Sequence, residues 1–374
     1  MRSLNDPVMA TLTRVSSHQR TMLKAPLRIV SIGGGTGLST LLSGLKKHAR
    51  GGSVGRQAGS PIVDLTAVVT VSDDGGSSGR LRRDFDTLPP GDIRNCMTAL
   101  SEDEALLSQL FRYRFASGRG LKGHSFGNLF LTAMHQITGD FAHAVKLSSE
   151  ILAIRGRIFP ATSANATLEA VLSDGSVVRG ESKISKSRHP IELVRLRPDC
   201  CQPLPEALEA LRNADLITFG PGSLYTSVIP NLLVNGIAEA IEDSPAMKVY
   251  FVNLMWQPGE TVKFTASQHL QALNEHARRK VVDCIVVNTA AIPPGLRKKY
   301  AGAHVKPVEN DFDALTEMGV KIVTADLVCS TSAARNKIRH DPTALADVVV
   351  DLASRSRAFQ IRREELAVRK QQSK

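Results

Sequence analysis

Short apolar runs rich in β-branched residues alternate along the chain with segments of helical periodicity. The runs that predict strands cover residues 28–32, 63–71, 214–220, 247–253 and 281–288. Strands separated by helical segments are typical of β-α-β units, in which the strands pair in parallel. The pattern therefore predicts an α/β fold with a doubly wound, mostly parallel, Rossmann-like sheet.

Residues 168–182 interrupt this alternation with two short strand-like runs on either side of Asp174-Gly175. An Asp-Gly pair between such runs predicts a β-hairpin with a two-residue turn. We therefore expect a small β insertion over about residues 165–195, inside a main α/β domain that covers residues 27–345.

The chain has 374 residues and a formal net charge of +11, but the charge is concentrated at its ends. Residues 1–26 and 352–374 together supply eight of the eleven excess positive charges. We expect a disordered basic extension over residues 1–26, a loop over the Gly/Ser-rich residues 49–61, and a terminal helix with a solvated basic tail over residues 346–374. The body is nearly balanced in charge and only 5% of the chain is aromatic, which argues against nucleic acid as the main partner.

The sequence predicts neither a membrane protein nor a protein stabilised by a structural zinc ion or by disulfide bonds. No apolar run approaches the roughly 18 residues of a membrane span, and the N-terminal segment lacks the apolar core of a signal peptide. The cysteines show no spacing typical of a zinc site or of a disulfide framework. They are Cys96, Cys200, Cys201, Cys284 and Cys329. We expect a cytoplasmic protein without membrane insertion.

The segment GGGTG joins the first predicted strand to an amphipathic helix. Glycines at a helix start expose backbone N–H groups, which favours phosphate binding. The lysine of a P-loop is missing, and the glycine spacing does not fit the dinucleotide fingerprint. A plain tight turn is the alternative to a ligand site. The candidate ligand contacts here are Gly33, Gly34, Gly35, Thr36 and Gly37.

A second loop, GPGSLYTSVIPNLL, has a similar character after the third predicted strand. It offers glycine N–H groups followed by several hydroxyl side chains. In an open α/β sheet the loops after the strand ends share one crevice, so this loop is expected to face the first. Helix capping by the hydroxyl groups is the alternative. The candidates are Gly220, Gly222, Ser223, Thr226 and Ser227.

Asp73 and Asp74 follow the second predicted strand. Carboxylates repel phosphate unless a cation or a sugar hydroxyl lies between them, so Mg²⁺ held by one of the two, or a ribose-like hydroxyl, is an expected partner. Because adjacent residues of an extended segment point to opposite sides, only one aspartate is expected to face the ligand. A simple turn at Asp74-Gly75 is the alternative.

Two predicted helix starts carry further polar residues. In PPGDIRN, Asp92 is expected to cap its helix, which leaves Arg94 and Asn95 without a structural explanation. In GHSFGN, His124 and Asn128 are four residues apart and share a helix face if the helix has begun at His124. No Gly-x-Ser-x-Gly elbow is present, so a serine hydrolase is not implied. The candidate ligand contacts here are Arg94, Asn95, His124 and Asn128. No catalytic residue is assigned.

Seven ordered blocks resemble the YvcK family of gluconeogenesis factors. They are GGGTGLS, TVSDDGGSSGRLR, PPGDIRNCMTAL, GHSFGNL, GPGSLYTSVIPNLL, QPGET and IRHDP, and they fall within residues 27–345. The resemblance implies the fold of the 2-phospho-L-lactate transferases and binding of a UDP-sugar such as UDP-N-acetylglucosamine, with no required cofactor. It further implies a regulatory role in cell shape and envelope synthesis during growth on gluconeogenic carbon sources.

The resemblance also assigns Tyr300 and Arg339 to the nucleotide-sugar site. An aromatic ring suits uracil, and a guanidinium suits a diphosphate. Trp256 departs from the threonine that the family usually has, and it is expected to narrow the sugar end of the site. Phospholactyl or phosphoryl transfer is the alternative function, so whether the chain is an enzyme stays open. A homo-oligomer and a protein partner in cell-wall synthesis also stay open.

Overall fold

The computed structural model describes residues 25–49, 61–102, 105–329 and 337–372. Most of the predicted N-terminal extension and most of the predicted loop over residues 49–61 lie outside the described residues. The described strands are β1 (Leu27–Gly33), β2 (Val63–Val69), β3 (Arg157–Pro160), β4 (Thr167–Leu172), β5 (Val177–Arg179), β6 (Ile191–Arg197), β7 (Leu216–Phe219), β8 (Met247–Phe251), β9 (Cys284–Asn288) and β10 (Lys321–Ala325).

Seven of these strands form a parallel sheet in the order β10-β9-β8-β7-β1-β2-β3, which confirms the predicted fold class. Helices cover both faces, and successive residues of β1 therefore enter different cores: Ile29 packs on one face and Val30 on the other. Burial on both faces explains why the strands appear in the sequence as unbroken apolar runs. The chain leaves β1 towards β2 on one side and reaches β7 on the other, so the strand order reverses between β1 and β7.

The helices are distributed along the whole described chain. They are α1 (Gly35–Leu45), α2 (Gly76–Phe85), α3 (Gly91–Leu100), α4 (Ala105–Arg112), α5 (Phe126–Thr138), α6 (Phe141–Ile151), α7 (Glu181–Ile184), α8 (Pro205–Arg212), α9 (Ile229–Leu232), α10 (Ile237–Asp243), α11 (Ala266–Ala277), α12 (Pro294–Gly302), α13 (Phe312–Glu317) and α14 (Pro342–Gln372), with a 3₁₀ turn at Lys46–His48 and a π-helical turn at Leu224–Val228. The predicted apolar face of α1 is buried through Leu38, Leu41, Leu42 and Leu45.

The β insertion is present as a separate antiparallel sheet in the order β5-β4-β6. Two details differ from the sequence prediction. The sheet has a third strand, β6, and the hairpin loop holds three residues, because the N–H of Leu172 already bonds to the carbonyl of Ser176. Gly175 takes the left-handed conformation in that loop, with φ +79°, which suits a three-residue hairpin.

The C-terminal segment forms helix α14 as far as Gln372. Part of its basic charge is structural. The guanidinium of Arg357 is buried, bonds to the Asp215 carboxylate and donates to the carbonyls of Ala25 and Pro26. Asp215 also accepts from Arg28, so one buried carboxylate joins α14 to the first residues of β1 and β7.

None of the described helices is by itself long and apolar enough to cross a membrane. One pair, Leu224–Leu232 with Ile237–Asp243, meets the length and composition requirement only when taken together, and it is bent by 76°.

Replacing Asp215 by alanine should destabilise the fold by about 3–5 kcal/mol, because it breaks the buried ion pair that Asp215 makes with Arg357. Chemical denaturation measures this loss. Asp351→Ala is the matched control, since it breaks the exposed Asp351–Arg355 pair on α14 and should cost less than about 1 kcal/mol. Equal losses in the two variants would contradict the structural role given to Asp215.

Candidate functional site

The loops that follow β1 and β7 touch each other where the strand order reverses. A Cβ atom added to Gly37 would lie 2.2 Å from the carbonyl oxygen of Pro221, so only glycine permits this approach. Gly35 begins α1 with φ +62°, a conformation that favours glycine. The predicted glycine residues of the two loops are thus brought together, at the place where open α/β sheets bind ligands.

The sequence suggested that Asp92 caps its own helix, and this prediction is wrong. The N-cap of α3 is Pro90, and the Asp92 carboxylate instead accepts the N–H of Gly35 at the start of α1. A Cβ on Gly34 would lie 2.6 Å from Asp92 Oδ2, which shows how closely the carboxylate approaches the glycine loop. Burial raises the pKa of Asp92 to about 7, and the Asp73 carboxylate adds to the shift.

Asp73 and Asp74 have different surroundings. Asp73 accepts the N–H of Gly75 at 2.8 Å and bonds to the Ser78 hydroxyl, and burial raises its pKa. Asp74 Oδ1 accepts the N–H of Ser182 at 2.8 Å, so it is used to attach the β insertion. Asp73 raises the pKa of Asp92, so it is the aspartate of this pair that lies closer to the crevice.

The short helix α7 of the insertion connects the two sides of the crevice. It is held to the β2 loop through Asp74, and on the other side Ser185 bonds to Glu260. A Cβ on Gly259 would lie 2.3 Å from the Ser185 carbonyl, so the loop after β8 approaches α7 directly. Burial raises the pKa of Glu181 to about 9, with Asp92 as its strongest carboxylate neighbour, and one Glu181 oxygen is buried without a hydrogen-bond partner.

The predicted hydroxyl residues of the β7 loop have separate tasks. Thr226 donates to Glu260 at 3.0 Å, which uses its hydroxyl for the structure of the loop. Ser223 accepts a hydrogen bond from the Gln257 amide. Ser227 Oγ lies 3.7 Å from where a Cβ of Gly35 would be, so it is placed at the contact between the two loops.

His124 and Asn128 both contact α2, the helix that follows the second strand. His124 Nδ1 lies 3.0 Å from the Ser77 hydroxyl, and Asn128 donates to Ser78 at 3.4 Å. The helix begins at Phe126, so His124 precedes it, yet both side chains reach the first turn of α2.

Arg94 and Asn95 lie on the same side of the crevice. Arg94 Nη2 bonds to the Asn95 side-chain oxygen at 2.7 Å, so the two residues form a pair at the start of α3. Among the described residues, no group of three or more His, Cys, Asp or Glu is arranged to hold a metal ion. A cation at Asp73 would therefore need further oxygen ligands, which a bound phosphate can supply.

Tyr300 and Arg339 line one cavity of about 440 Å³ beside the end of β8, and Trp256 lines it too. The Tyr300 hydroxyl accepts the N–H of Ile338 at 3.2 Å, which fixes the segment that carries Arg339. Gln257 also lines this cavity and donates to Ser223. The cavity is therefore contiguous with the β7 loop.

Three residues of this region were not predicted from the sequence as site residues: Glu260, Asp92 and Glu181. Glu260 is buried and accepts from the Tyr225 N–H, from Thr226 and from Gln257, which joins two loops of the crevice. Its position inside QPGET was a signal, because a glutamate beside a Pro-Gly turn after a strand end is a candidate for a loop-to-loop contact. Asp92 and Glu181 gave no such local signal, since their neighbours come from distant parts of the chain.

Comparison with known proteins places the chain in a family. Residues 29–328 match the family described as 2-phospho-L-lactate transferase CofD. The chain therefore belongs to the 2-phospho-L-lactate transferase CofD family.

Within this family the chain is similar to proteins named gluconeogenesis factor. It is 47% identical over 325 residues to that of Bacillus subtilis, which covers 87% of this chain and 98% of the relative. It is 46% identical over 323 residues to that of Halalkalibacterium halodurans, which covers 86% of this chain and 95% of the relative. A crystal structure of a UPF0052 family member from Bacillus halodurans superimposes with a TM-score of 0.80 at 46% identity, over 87% of this chain and 99% of the other.

The titration of Asp92 should make the stability of the protein depend on pH. The pKa of Asp92 rises on folding from 3.8 to about 7, so between these values the folded protein holds a proton that the unfolded chain releases. The stability that this proton contributes is present at acidic pH and is lost as the pH rises through about 7. Asp92→Asn cannot ionise, so its free energy of unfolding should change less than that of the wild type between about pH 5 and pH 8.

Chemical denaturation at the two pH values gives this difference directly. Asp351→Asn, an exposed position on α14, should reproduce the wild-type pH dependence. An Asp92→Asn protein with the wild-type pH dependence would show that the Asp92 carboxylate ionises in the folded protein as it does in water.

Proposed function

We propose that the protein binds a UDP-sugar, of the UDP-N-acetylglucosamine type, and acts as a regulator of cell shape and envelope synthesis during growth on gluconeogenic carbon sources. The observation that carries the proposal is the continuity of the two ligand-binding features. The glycine loops after β1 and β7 meet in one crevice, and Gln257 connects that crevice to the cavity lined by Tyr300 and Arg339.

Each part of this arrangement suits one part of a nucleotide sugar. Glycine loops at a helix start suit the diphosphate, and the aromatic face of Tyr300 suits the uracil ring. The Arg339 guanidinium is permanently charged and can bond to two phosphate oxygens at once. The absence of a P-loop lysine after Gly37 disfavours a nucleoside triphosphate.

Trp256 lines the same cavity as Tyr300, so it fits a role in selecting the group that enters this cavity. Its indole N–H donates to the Phe264 carbonyl at 3.2 Å, and the Lys306 ammonium lies 5.8 Å from the ring centroid. The ring is thus held in place at the wall of the cavity that Tyr300 lines. We propose that it limits the size of the group that enters this end of the site.

The proposed ligand does not require a cofactor, but a divalent cation fits the donor set. Asp73 supplies one carboxylate at the crevice, and Mg²⁺ commonly takes one or two carboxylates together with phosphate oxygens. Such an ion would offset the repulsion between the diphosphate and the carboxylates of Asp73 and Asp92. The proposal includes a cytoplasmic location for the protein.

The second candidate function is transfer of a phospholactyl or phosphoryl group. The observation that favours it is a buried carboxylate in the crevice, since burial raises the pKa of Asp92 to about 7, where a side chain can accept and return a proton near neutral pH. The family description also names a transferase. Consumption of a nucleotide-linked substrate by the protein would favour this candidate over a binding function alone.

Tyr300→Ala and Arg339→Ala should each weaken UDP-N-acetylglucosamine binding roughly 5- to 150-fold, since base stacking and a charge-assisted contact are each worth about 1–3 kcal/mol. Arg339→Lys keeps the charge but loses the planar fork, so it should restore part of the affinity. Tyr300→Phe keeps the ring and should bind more tightly than Tyr300→Ala. Trp256, the only tryptophan, reports the titration by its fluorescence, and calorimetry gives the same affinities independently.

Lys298→Ala is the control for these variants. Lys298 is exposed on the same helix as Tyr300 and does not line the cavity. Its replacement should leave the affinity unchanged. Normal binding by both Tyr300→Ala and Arg339→Ala would place the nucleotide sugar outside this cavity and overturn the proposal.

A further inference from the structure

Four arginine residues gather at the side of the crevice opposite to the Tyr300 cavity. We call Arg80, Arg94, Arg112 and Arg114 the arginine rim. They come from α2, from α3, from the end of α4 and from the segment after it. This side adjoins β2, whereas the Tyr300 cavity adjoins the end of β8, and two strands of the sheet, β7 and β1, lie between β8 and β2.

The fold makes room for the rim by using glycine at two positions around His124. A Cβ on Gly123 would lie 3.2 Å from Arg80 Nη2, and a Cβ on Gly127 would lie 2.9 Å from Arg94 Cδ. Two guanidinium-bearing side chains therefore lie across the segment from Gly123 to Gly127. Larger residues at these glycine positions would displace them.

The rim arginines form no ion pair within the described part of the chain. Arg80 donates to the Lys122 carbonyl, Arg112 to the Thr98 carbonyl and Arg114 to the Gly123 carbonyl, and these acceptors are uncharged. No carboxylate among the described residues lies within ion-pair distance of any rim guanidinium.

A buried donor in the rim has no partner. Arg94 Nε is buried and makes no hydrogen bond, while Arg94 Nη2 bonds to Asn95. Burial lowers the pKa of Arg94, and the Arg114 guanidinium is the next largest cause. The Asp92 and Asp73 carboxylates offset part of the charge of Arg94 without forming an ion pair with it, whereas the Arg112 and Arg114 guanidinium groups repel it. An anion between these guanidinium groups would remove that repulsion.

We propose that the arginine rim binds an oxyanion, a phosphate or carboxylate group, carried by a second molecule that shares the crevice with the nucleotide sugar. The oxyanion site follows from the rim alone. The assignment to a second molecule rests on the proposed function, in which the nucleotide sugar's own diphosphate lies on the glycine loops. His124 and Asn128, which border the rim, would then face this second molecule.

Calorimetric titration of the full chain with inorganic phosphate tests the proposal, at low ionic strength where screening is weakest. In the presence of saturating UDP-N-acetylglucosamine, the wild type should still bind one phosphate. The double variant Arg112→Gln/Arg114→Gln should bind it roughly tenfold more weakly, because two solvent-exposed charged contacts are lost and each of them contributes little. Both residues are exposed, so the variant should fold, and thermal unfolding checks this. Arg363→Gln, an exposed arginine on α14, is the matched control and should bind phosphate as the wild type does.

A parallel titration with succinate separates the two chemical sources of the oxyanion. Tighter binding of phosphate indicates a phosphorylated second molecule, and tighter binding of succinate indicates a carboxylic acid. No saturable binding of either anion by the wild type, or equal losses in the double variant and in Arg363→Gln, overturns the site. One-to-one displacement of phosphate by UDP-N-acetylglucosamine overturns the second molecule. If UDP-N-acetylglucosamine itself does not bind, the proposed function fails, while the comparison of variants with phosphate alone still decides the oxyanion site.

Discussion

The contact between Gly37 and the Pro221 carbonyl is the constraint on which the site depends. Because Gly37 has no side chain, the start of α1 can approach the loop after β7. The two loops then form one crevice where the strand order reverses. Asp92 then reaches the first N–H of α1, and Gln257 reaches Ser223 from the neighbouring strand end. The Tyr300 cavity is joined to the crevice through this last contact.

The crevice contains several ionisable groups whose charged forms are destabilised by burial. Burial raises the pKa of Asp92 and of Glu260 to about 7 each, and that of Glu181 to about 9. The arginine rim lies on one side and forms no ion pair among the described residues. Shifts of this kind are more frequent at functional sites than elsewhere, because a ligand or an ion can relieve them. Asp215 differs from the carboxylates of the crevice. It lies at the opposite, amino ends of the strands, and two arginines match its charge, as expected for a structural carboxylate.

The central strands of the parallel sheet could be predicted from local sequence alone. The five predicted strands of the sheet are present as β1, β2, β7, β8 and β9, because runs buried on both faces are apolar throughout. Strands β3 and β10 were missed, because both lie at the edges of the sheet and are only partly buried.

The parts of the site that depend on tertiary contacts could not be predicted in the same way. Asp92 looked like a helix cap, and its real partner, Gly35, lies on another helix. Asp74 and Asp73 look equivalent in the sequence, and only the docking of Ser182 distinguishes them. Tyr300 and Arg339 were assigned through family resemblance, and the structure adds that both line one cavity.

The most direct test of the account is a calorimetric titration of the wild-type protein with UDP-N-acetylglucosamine, GDP and NAD, each with and without Mg²⁺. The account predicts saturable binding of one UDP-N-acetylglucosamine per chain, and much weaker binding of GDP and NAD. Equal affinity for the three ligands, or binding of GDP or NAD alone, would contradict the claim that the crevice and the Tyr300 cavity together form a UDP-sugar site.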